Sequence, residues 1–176
     1  GNMGGAMLAG WLAAGEPADR FSILDPSAIT VPQGVAAYRN AADLPGTHDS
    51  VLLGFKPQQL PMLAPGLQPL TTKGVVVCSL LAGITLSQLA RAFPHARAHI
   101  RVMPNLAAAI GQSPVALAHR GLSETEQEAA FRLFDRLGTA LWLKGEEQFD
   151  LVTALAGSGP GFAYRFIAAL AEAGAE

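Results

Sequence analysis

Six short apolar runs, separated by stretches of helical periodicity, constrain the fold of this 176-residue chain more than any other feature. Each run is too short for a helix, and most lack the polar alternation of a half-exposed strand. Strands that are buried on both faces of a sheet have this pattern. The predicted strands are 21–24, 51–55, 74–79, 99–103, 114–118 and 140–143.

Helical segments lie between these strands, which predicts an α/β fold with a Rossmann-like doubly wound sheet. The predicted helices are 58–63, 86–92 and 123–137, and Ser123 with Glu126 forms a capping box at the start of the last one. Past Gly145 the pattern is helical only, with helices over 149–156 and 161–173. We therefore expect a nucleotide-binding domain over 1–145 and the start of an all-helical domain over 146–176.

A glycine-rich turn opens the chain. Gly1, Asn2, Met3 and Gly4 match the back half of a G-x-G-x-x-G motif, and apolar residues follow at helical spacing as far as Leu12. In that motif, backbone N–H groups and a helix N-terminus approach a pyrophosphate. The motif's first glycine and its strand are expected before residue 1, which predicts a fragment. The alternative is a glycine turn before an ordinary surface helix.

An acidic residue ends the first predicted strand. Asp25 lies 21 residues after Gly4, where a carboxylate can accept hydrogen bonds from an adenosine ribose. The alternative is an Asp that begins a turn before Pro26. A carboxylate there disfavours a 2′-phosphate, yet Ser27 and Asn40 could hydrogen-bond one, so the choice between NADH and NADPH stays open.

Three further segments follow predicted strands or helices at the ligand-binding side of such a sheet. Lys56 and Pro57 follow the second strand, and Pro104 and Asn105 follow the fourth. The alternatives are a solvated loop cation for Lys56, a helix start for Pro57 and a plain turn for Pro104 and Asn105. The break at 157–160 is more specific, because Pro160 suits the first turn of a helix.

At that break, the Ser158 hydroxyl and nearby backbone N–H groups are predicted to form a site for a small anion such as a carboxylate. Gly157 and Gly159 flank this serine. The alternative is an ordinary turn between two helices.

Composition excludes several other classes. A net charge of −2 argues against nucleic acid as a partner, and no apolar run reaches the length of a membrane span. Cys78 is the only cysteine and lies in an apolar run, so we expect a buried thiol and no disulfide. His95 and His99 have helical spacing but lead into a strand, so no metal site is predicted. A soluble, cytoplasmic protein is the default expectation.

The chain resembles the pyrroline-5-carboxylate reductases along its whole length. The resemblance is carried by Gly1-Asn2-Met3-Gly4, by Lys56-Pro57-Gln58, by Met103-Pro104-Asn105 and by the run from Phe149 to Pro160, FDLVTALAGSGP. The family usually has Thr where this chain has Leu106, Ser where it has Ala156, and Ala-Tyr where it has Gly161-Phe162. These departures affect substrate contacts rather than the class of reaction.

The resemblance implies hydride transfer from NADPH or NADH to 1-pyrroline-5-carboxylate, which gives L-proline in the last step of proline biosynthesis. It implies that the opening turn binds the cofactor phosphates, and that Lys56, Pro57, Pro104 and Asn105 shape the nicotinamide end. Gly157, Ser158, Gly159 and Glu146 would bind substrate; an exposed acid is the alternative for Glu146. No residue is assigned as a proton donor.

The resemblance also implies a homodimer or larger homo-oligomer, whose helical domain completes the substrate pocket. A fragment without most of that domain is expected to be inactive. Two other functions stay open. One is a different imine reductase or β-hydroxyacid-dehydrogenase-like reductase. The other is a non-catalytic dinucleotide-binding relic of a truncated gene.

Overall fold

The computed structural model describes residues 1–27, 30–45 and 48–175. Its α-helices are α1 (Asn2–Ala13), α2 (Leu60–Leu67), α3 (Leu86–Ala92), α4 (Glu124–Asp135), α5 (Phe149–Val152) and α6 (Gly159–Ala173). Its strands are β1 (Ser22–Leu24), β2 (Ala36–Tyr38), β3 (Ser50–Leu53), β4 (Val76–Ser79), β5 (Ala98–Met103), β6 (Ser113–Arg120) and β7 (Gly138–Trp142). Short 3₁₀ helices include Pro57–Gln59, Leu106–Ile110 and Glu146–Gln148.

The strands form two sheets. β1 and β2 make a parallel pair, and β3 to β7 form a five-stranded sheet in chain order. All neighbours in the larger sheet are parallel except β5 and β6, which are antiparallel. The reversal has a simple cause: only residues 104–112 join β5 to β6, and a parallel crossover needs about a dozen residues or more.

Helix α1 packs tightly on the larger sheet through its apolar face. Met7 and Trp11 are buried, and the Trp11 indole N–H donates to the Leu133 carbonyl at 2.8 Å. Gly10 faces the 3₁₀ helix Leu106–Ile110 so closely that a Cβ there would lie 2.0 Å from the Ala108 oxygen. The absence of a side chain at Gly10 therefore permits this helix to dock.

The predicted α/β architecture is confirmed, since each predicted strand overlaps an observed one and α3 has the predicted bounds. The capping box is also confirmed, because the Ser123 hydroxyl accepts from the Glu126 N–H. β2 was not predicted, because its three residues are too few to give a periodic pattern. No described helix is long and apolar enough to span a membrane.

The predicted break at 157–160 is wrong. Ser158 (φ −89°, ψ −33°) and Gly159 (φ −51°, ψ −46°) have helical backbone angles, so the chain stays helical from α5 into α6. Thr153–Ser158 forms a π-helix, here called the wide turn. A proline cannot donate the regular i→i−4 bond, and a π turn is a common way for a helix to absorb such a gap.

Candidate functional site

The site is built on the edge where β3, β4 and β5 end. These strands are parallel, and Leu53, Ser79 and Arg101 lie side by side across them. β5 continues two residues further, to Met103, so Pro104 and Asn105 project from this edge. Open α/β sheets bind their ligands at the carboxyl ends of their strands.

The glycine turn lies beside this edge. Gly1 is the N-cap of α1, and a Cβ on Gly1 would lie 3.3 Å from the Gly54 oxygen, just past β3. No side chain caps α1, and its first turn carries no acidic residue. Gly4 and Gly5 have open space around their Cβ positions. The first-turn N–H groups and the positive end of the helix dipole therefore suit an anion.

Asp25 lies next to that helix end. Its Oδ2 is 3.9 Å from the Gly1 nitrogen, and its Oδ1 accepts from the Ser27 N–H at 2.9 Å. Asn40 instead turns to its own loop, where its Nδ2 donates to Asp43 Oδ2 at 3.0 Å. The structure thus brings Asp25 and Ser27 to the glycine turn, whereas the observed contact of Asn40 is local.

An anion site at a glycine turn, with an acidic residue beside it, fits an adenine dinucleotide. Backbone donors at the start of α1 match the pyrophosphate, and a carboxylate such as Asp25 matches ribose hydroxyls. Such hydroxyl recognition needs an acceptor oxygen, and within residues 1–27, 30–45 and 48–175 the one contact of Asp25 Oδ2 is the long 3.9 Å approach to the Gly1 nitrogen. The residues present are therefore compatible with this class of cofactor.

Lys56 and Pro57 begin the 3₁₀ helix after β3. The Lys56 N–H donates to Gln59 Oε1 at 3.1 Å, which fixes this loop at the edge of the sheet. Pro57 also lines a surface groove of about 530 Å³ between α2 and α3. Lys56 lies two residues from Gly54, whose carbonyl oxygen is close to Gly1.

Asn105 makes three contacts at the end of β5. Its N–H donates to Ser113 Oγ at 2.9 Å, and its Oδ1 accepts from the Ala107 N–H at 2.9 Å. Its Nδ2 donates to the Ala156 carbonyl in the wide turn at 3.2 Å. Asn105 thus connects the strand edge to the wide turn, with one partner for its side-chain oxygen and one for its side-chain nitrogen.

Glu146 is held by a buried cation that the sequence reasoning missed. Glu146 Oε1 accepts from Arg101 Nη1 at 2.8 Å and from the Leu86 N–H at 2.6 Å. The Arg101 guanidinium also lies 4.1 Å from the centre of the Phe149 ring. An arginine in the middle of an apolar strand is the signal that would have predicted this pairing, because a buried charge needs a partner.

The segment 157–159 lies at the end of the wide turn. Ser158 is exposed, while Gly159 is half-buried. A Cβ on Gly157 would lie 3.0 Å from Met103 Cε, so glycine permits close packing against the end of β5. Because the helix is continuous here, the anion site expected from a new helix N-terminus is not formed by the backbone.

Two titratable groups are buried in the sheet rather than at this edge. Burial raises the pKa of the Cys78 thiol to about 12, which keeps it protonated and unreactive. Burial also lowers the pKa of His99, whose Nε2 lies 3.1 Å from the Phe93 carbonyl. Neither group serves the site as a nucleophile or proton donor.

A family model described as pyrroline-5-carboxylate reductase dimerisation matches residues 146–176. The pyrroline-5-carboxylate reductase of Pseudomonas aeruginosa is 32% identical over 99% of this chain, and the chain spans 66% of its length. The Plasmodium falciparum pyrroline carboxylate reductase, solved with NADP bound, has a TM-score of 0.88 at 21% identity, covering 99% of this chain and 66% of that one. A Coxiella burnetii pyrroline-5-carboxylate reductase gives 0.84 at 25% identity, with coverage of 99% and 67%.

Proposed function

Because the chain belongs to the pyrroline-5-carboxylate reductase family, we propose that its protein reduces 1-pyrroline-5-carboxylate to L-proline with NADPH or NADH. The observation that carries this proposal is the hydrogen bond from Asn105 Nδ2 to the Ala156 carbonyl. It joins the strand edge beside the proposed cofactor site to the segment that would bind substrate. Hydride transfer requires the cofactor and the imine to be in contact, so the reaction would take place at this junction.

The cofactor would lie across the edge of the sheet. The backbone of Gly1 to Gly4 would hold its phosphates, and Asp25 and Ser27 would face the adenosine ribose. Asn40 would contribute to a 2′-phosphate only by leaving its contact with Asp43. Lys56, Pro57, Pro104 and Asn105 would shape the nicotinamide end. NADP in the Plasmodium falciparum relative supports this class of cofactor.

The substrate would lie between that edge and the wide turn. Ser158, whose side chain is exposed, would bind the substrate carboxylate through its hydroxyl, with Gly157 and Gly159 shaping the approach. Glu146 would act at one remove, because its Oε1 is already bonded to Arg101 and Leu86.

The reaction would require this chain mainly to position the cofactor and the imine. When bound, the reduced nicotinamide supplies the hydride, and a protonated imine accepts it without a strong acid. Holding the two reacting carbons at near-attack distance is worth up to about 7–11 kcal/mol in favourable cases. The rigid strand edge and the wide turn are the parts of the chain that would set this distance.

We also propose that 1–145 is the nucleotide-binding domain and that 146–176 belongs to a helical domain that pairs with a second copy. The large apolar side chains on α6, such as Phe162 at 75% exposure, support such a contact. A cytoplasmic location is part of the proposal. It is supported by the free, buried Cys78, since secreted domains more often carry disulfides.

The test is oxidation of NADPH, and then of NADH, by the full-length protein with 1-pyrroline-5-carboxylate, using omission of the imine as the control. We expect turnover that depends on the imine and that Ser158→Ala weakens. Cofactor binding without turnover would overturn the proposal, and a panel of other imines and hydroxyacids would then identify a related reductase.

A further inference from the structure

The wide turn contains a carbonyl, that of Ala156, whose donor in an α-helix would be missing. In an α-helix, the N–H of residue 160 would donate to the carbonyl of Ala156, but residue 160 is a proline and has no N–H. The Asn105 side chain takes that place, since its Nδ2 donates to the Ala156 oxygen at 3.2 Å. Asn105 therefore supplies a side-chain donor to a carbonyl whose α-helical donor is missing.

The direction of the Asn105 carboxamide is fixed by its other contacts. Its Oδ1 accepts from the Ala107 N–H, which leaves Nδ2 as the atom that faces the wide turn. Its backbone N–H donates to Ser113 Oγ, and the fully buried Ser113 in turn donates to the Pro114 carbonyl. The donor offered to Ala156 is thus held by a side chain with little freedom to rotate.

A second contact lies one residue further along. Gly157 sits against the end of β5, where an added Cβ would be 3.0 Å from Met103 Cε. Two adjacent positions of the wide turn, Ala156 and Gly157, are therefore seated on the segment that ends in Asn105. The next residue is Ser158, the proposed carboxylate ligand.

We propose that Asn105 is a positioning residue: it donates to the Ala156 carbonyl in the wide turn, where Pro160 removes the α-helical donor, and so holds Ser158 at a fixed distance from the cofactor edge. The inference rests on the proposed function, because only that function makes the distance between these two segments matter. It assigns the Asn105 side chain to the substrate segment, so Asn105 would shape the nicotinamide end only through its backbone.

The decisive variant is Asn105→Asp in the full-length protein. Aspartate keeps an oxygen that can accept from the Ala107 N–H, but it replaces the donor to Ala156 with a second acceptor. Losing this bond and leaving the carbonyl unsatisfied should raise KM for 1-pyrroline-5-carboxylate about tenfold. The dissociation constant for NADPH should stay within about twofold, since the glycine turn is untouched.

Pro160→Ala provides the rescue. Alanine restores an N–H at position 160, so the segment can return to α-helical pairing. In that pairing the new N–H donates to the Ala156 carbonyl without Asn105. The double variant Asn105→Asp with Pro160→Ala should therefore recover most of the lost affinity for the imine. Gln127→Glu makes the same amide-to-acid change in α4, where its Nε2 faces the Leu122 carbonyl, and should leave KM unchanged.

Hydrogen exchange gives a readout that does not depend on activity. In the cofactor-free protein, Asn105→Asp should speed exchange of the amides of residues 157–159 about tenfold, while those of β5 remain protected. Unchanged exchange at 157–159 would overturn the inference. A parallel loss of NADPH affinity would also overturn it, by making Asn105 a cofactor ligand.

The two proposals fail in different ways. If wild-type protein does not turn over the imine, the proposed function is wrong, whatever the exchange rates show. If wild-type protein turns over and Asn105→Asp matches it in KM, only the positioning role is wrong.

Discussion

Strand β5 and helix α6 have similar apolar content but opposite environments. Residues 98–102 of β5 are all buried, including His99 and Arg101. Within α6, all of which the structure describes, no residue is buried, and Phe162, Tyr164 and Phe166 are 66–75% exposed. Even polar groups are buried in β5, while even aromatic groups are exposed in α6.

The difference teaches that burial here follows from position in the sheet and not from the hydrophobicity of a segment. β5 lies between β4 and β6, and helices cover it, whereas α6 continues from the wide turn and has no buried residue. The free energy of unfolding of this chain should therefore reside in the sheet. The apolar side chains of α6 should contribute little until something covers them.

The largest expected effect is in β5. Ile100 is 1% exposed, so Ile100→Ala should lower the free energy of unfolding by about 2–5 kcal/mol through lost burial and a residual cavity. Leu170 in α6 is 58% exposed, and Leu170→Ala is the matched control, expected within about 0.5 kcal/mol. Urea denaturation at low protein concentration measures both, and equal losses would contradict the comparison.

A close backbone approach extends the comparison to α1. Gly10→Ala would place a Cβ 2.0 Å from the Ala108 oxygen, so the helix must shift, at an expected cost of about 1–3 kcal/mol. Gly5 in the same helix has nothing within 4 Å of its Cβ position. Gly5→Ala should instead stabilise the protein by up to about 1 kcal/mol. The thermal unfolding midpoints of the two variants distinguish a packing clash at Gly10 from a gain in helix propensity at Gly5.

An ion pair joins β5 to the segment that leads into α5 and α6: Arg101 of β5 pairs with Glu146. Glu146→Gln should cost about 1–2 kcal/mol, because Arg101 stays buried without its carboxylate while partial exposure of Glu146 moderates the loss. Glu128→Gln breaks a fully surface pair with Arg132 and should cost at most about 0.5 kcal/mol. Similar losses from both, measured in urea, would argue against a special role for the buried pair.

The smallest effect concerns pH. Burial lowers the pKa of His99 in the folded state, so folding favours its neutral form. The stabilisation is complete above the unfolded value near 6.5 and is lost as the pH falls below 6.5 toward the folded pKa. His99→Gln keeps a donor for the Phe93 carbonyl but does not titrate. Its free energy of unfolding should fall less between pH 7.5 and pH 5.5 than that of the wild type.

The centre of the sheet was predictable because β4 and β5 are buried on both faces and therefore stand out as apolar runs. The capping box at Ser123 was predictable because it is a local hydrogen-bond pattern. β2 was not, because Ala36 and Ala37 are exposed and a three-residue strand in this segment gives no apolar run. The reversal at β6 follows from a short connection, which becomes evident only when the strand bounds are known.

The candidate site was less predictable than the sheet. The positions of Asp25 and Asn105 after strands indicated which edge they occupy, but their partners lie far along the chain or in other loops. Pro160 predicts a helix start, but a helix can also widen around a proline when another side chain donates to a carbonyl that lacks its α-helical donor. That compensation depends on Asn105, which is 51 residues away from Ala156, and no local pattern reports it.

The bond from Trp11 to Leu133 has a consequence for synthesis on the ribosome. The two residues are 122 positions apart, so at about 5–20 residues per second the partner of Trp11 is made roughly 6–24 s later. During that delay the apolar face of α1 stays uncovered. The 3₁₀ helix that packs against Gly10 has not yet been synthesised for most of this time. Nascent chains stalled before residue 133 should therefore be good clients for chaperones, and release past α4 should end that dependence.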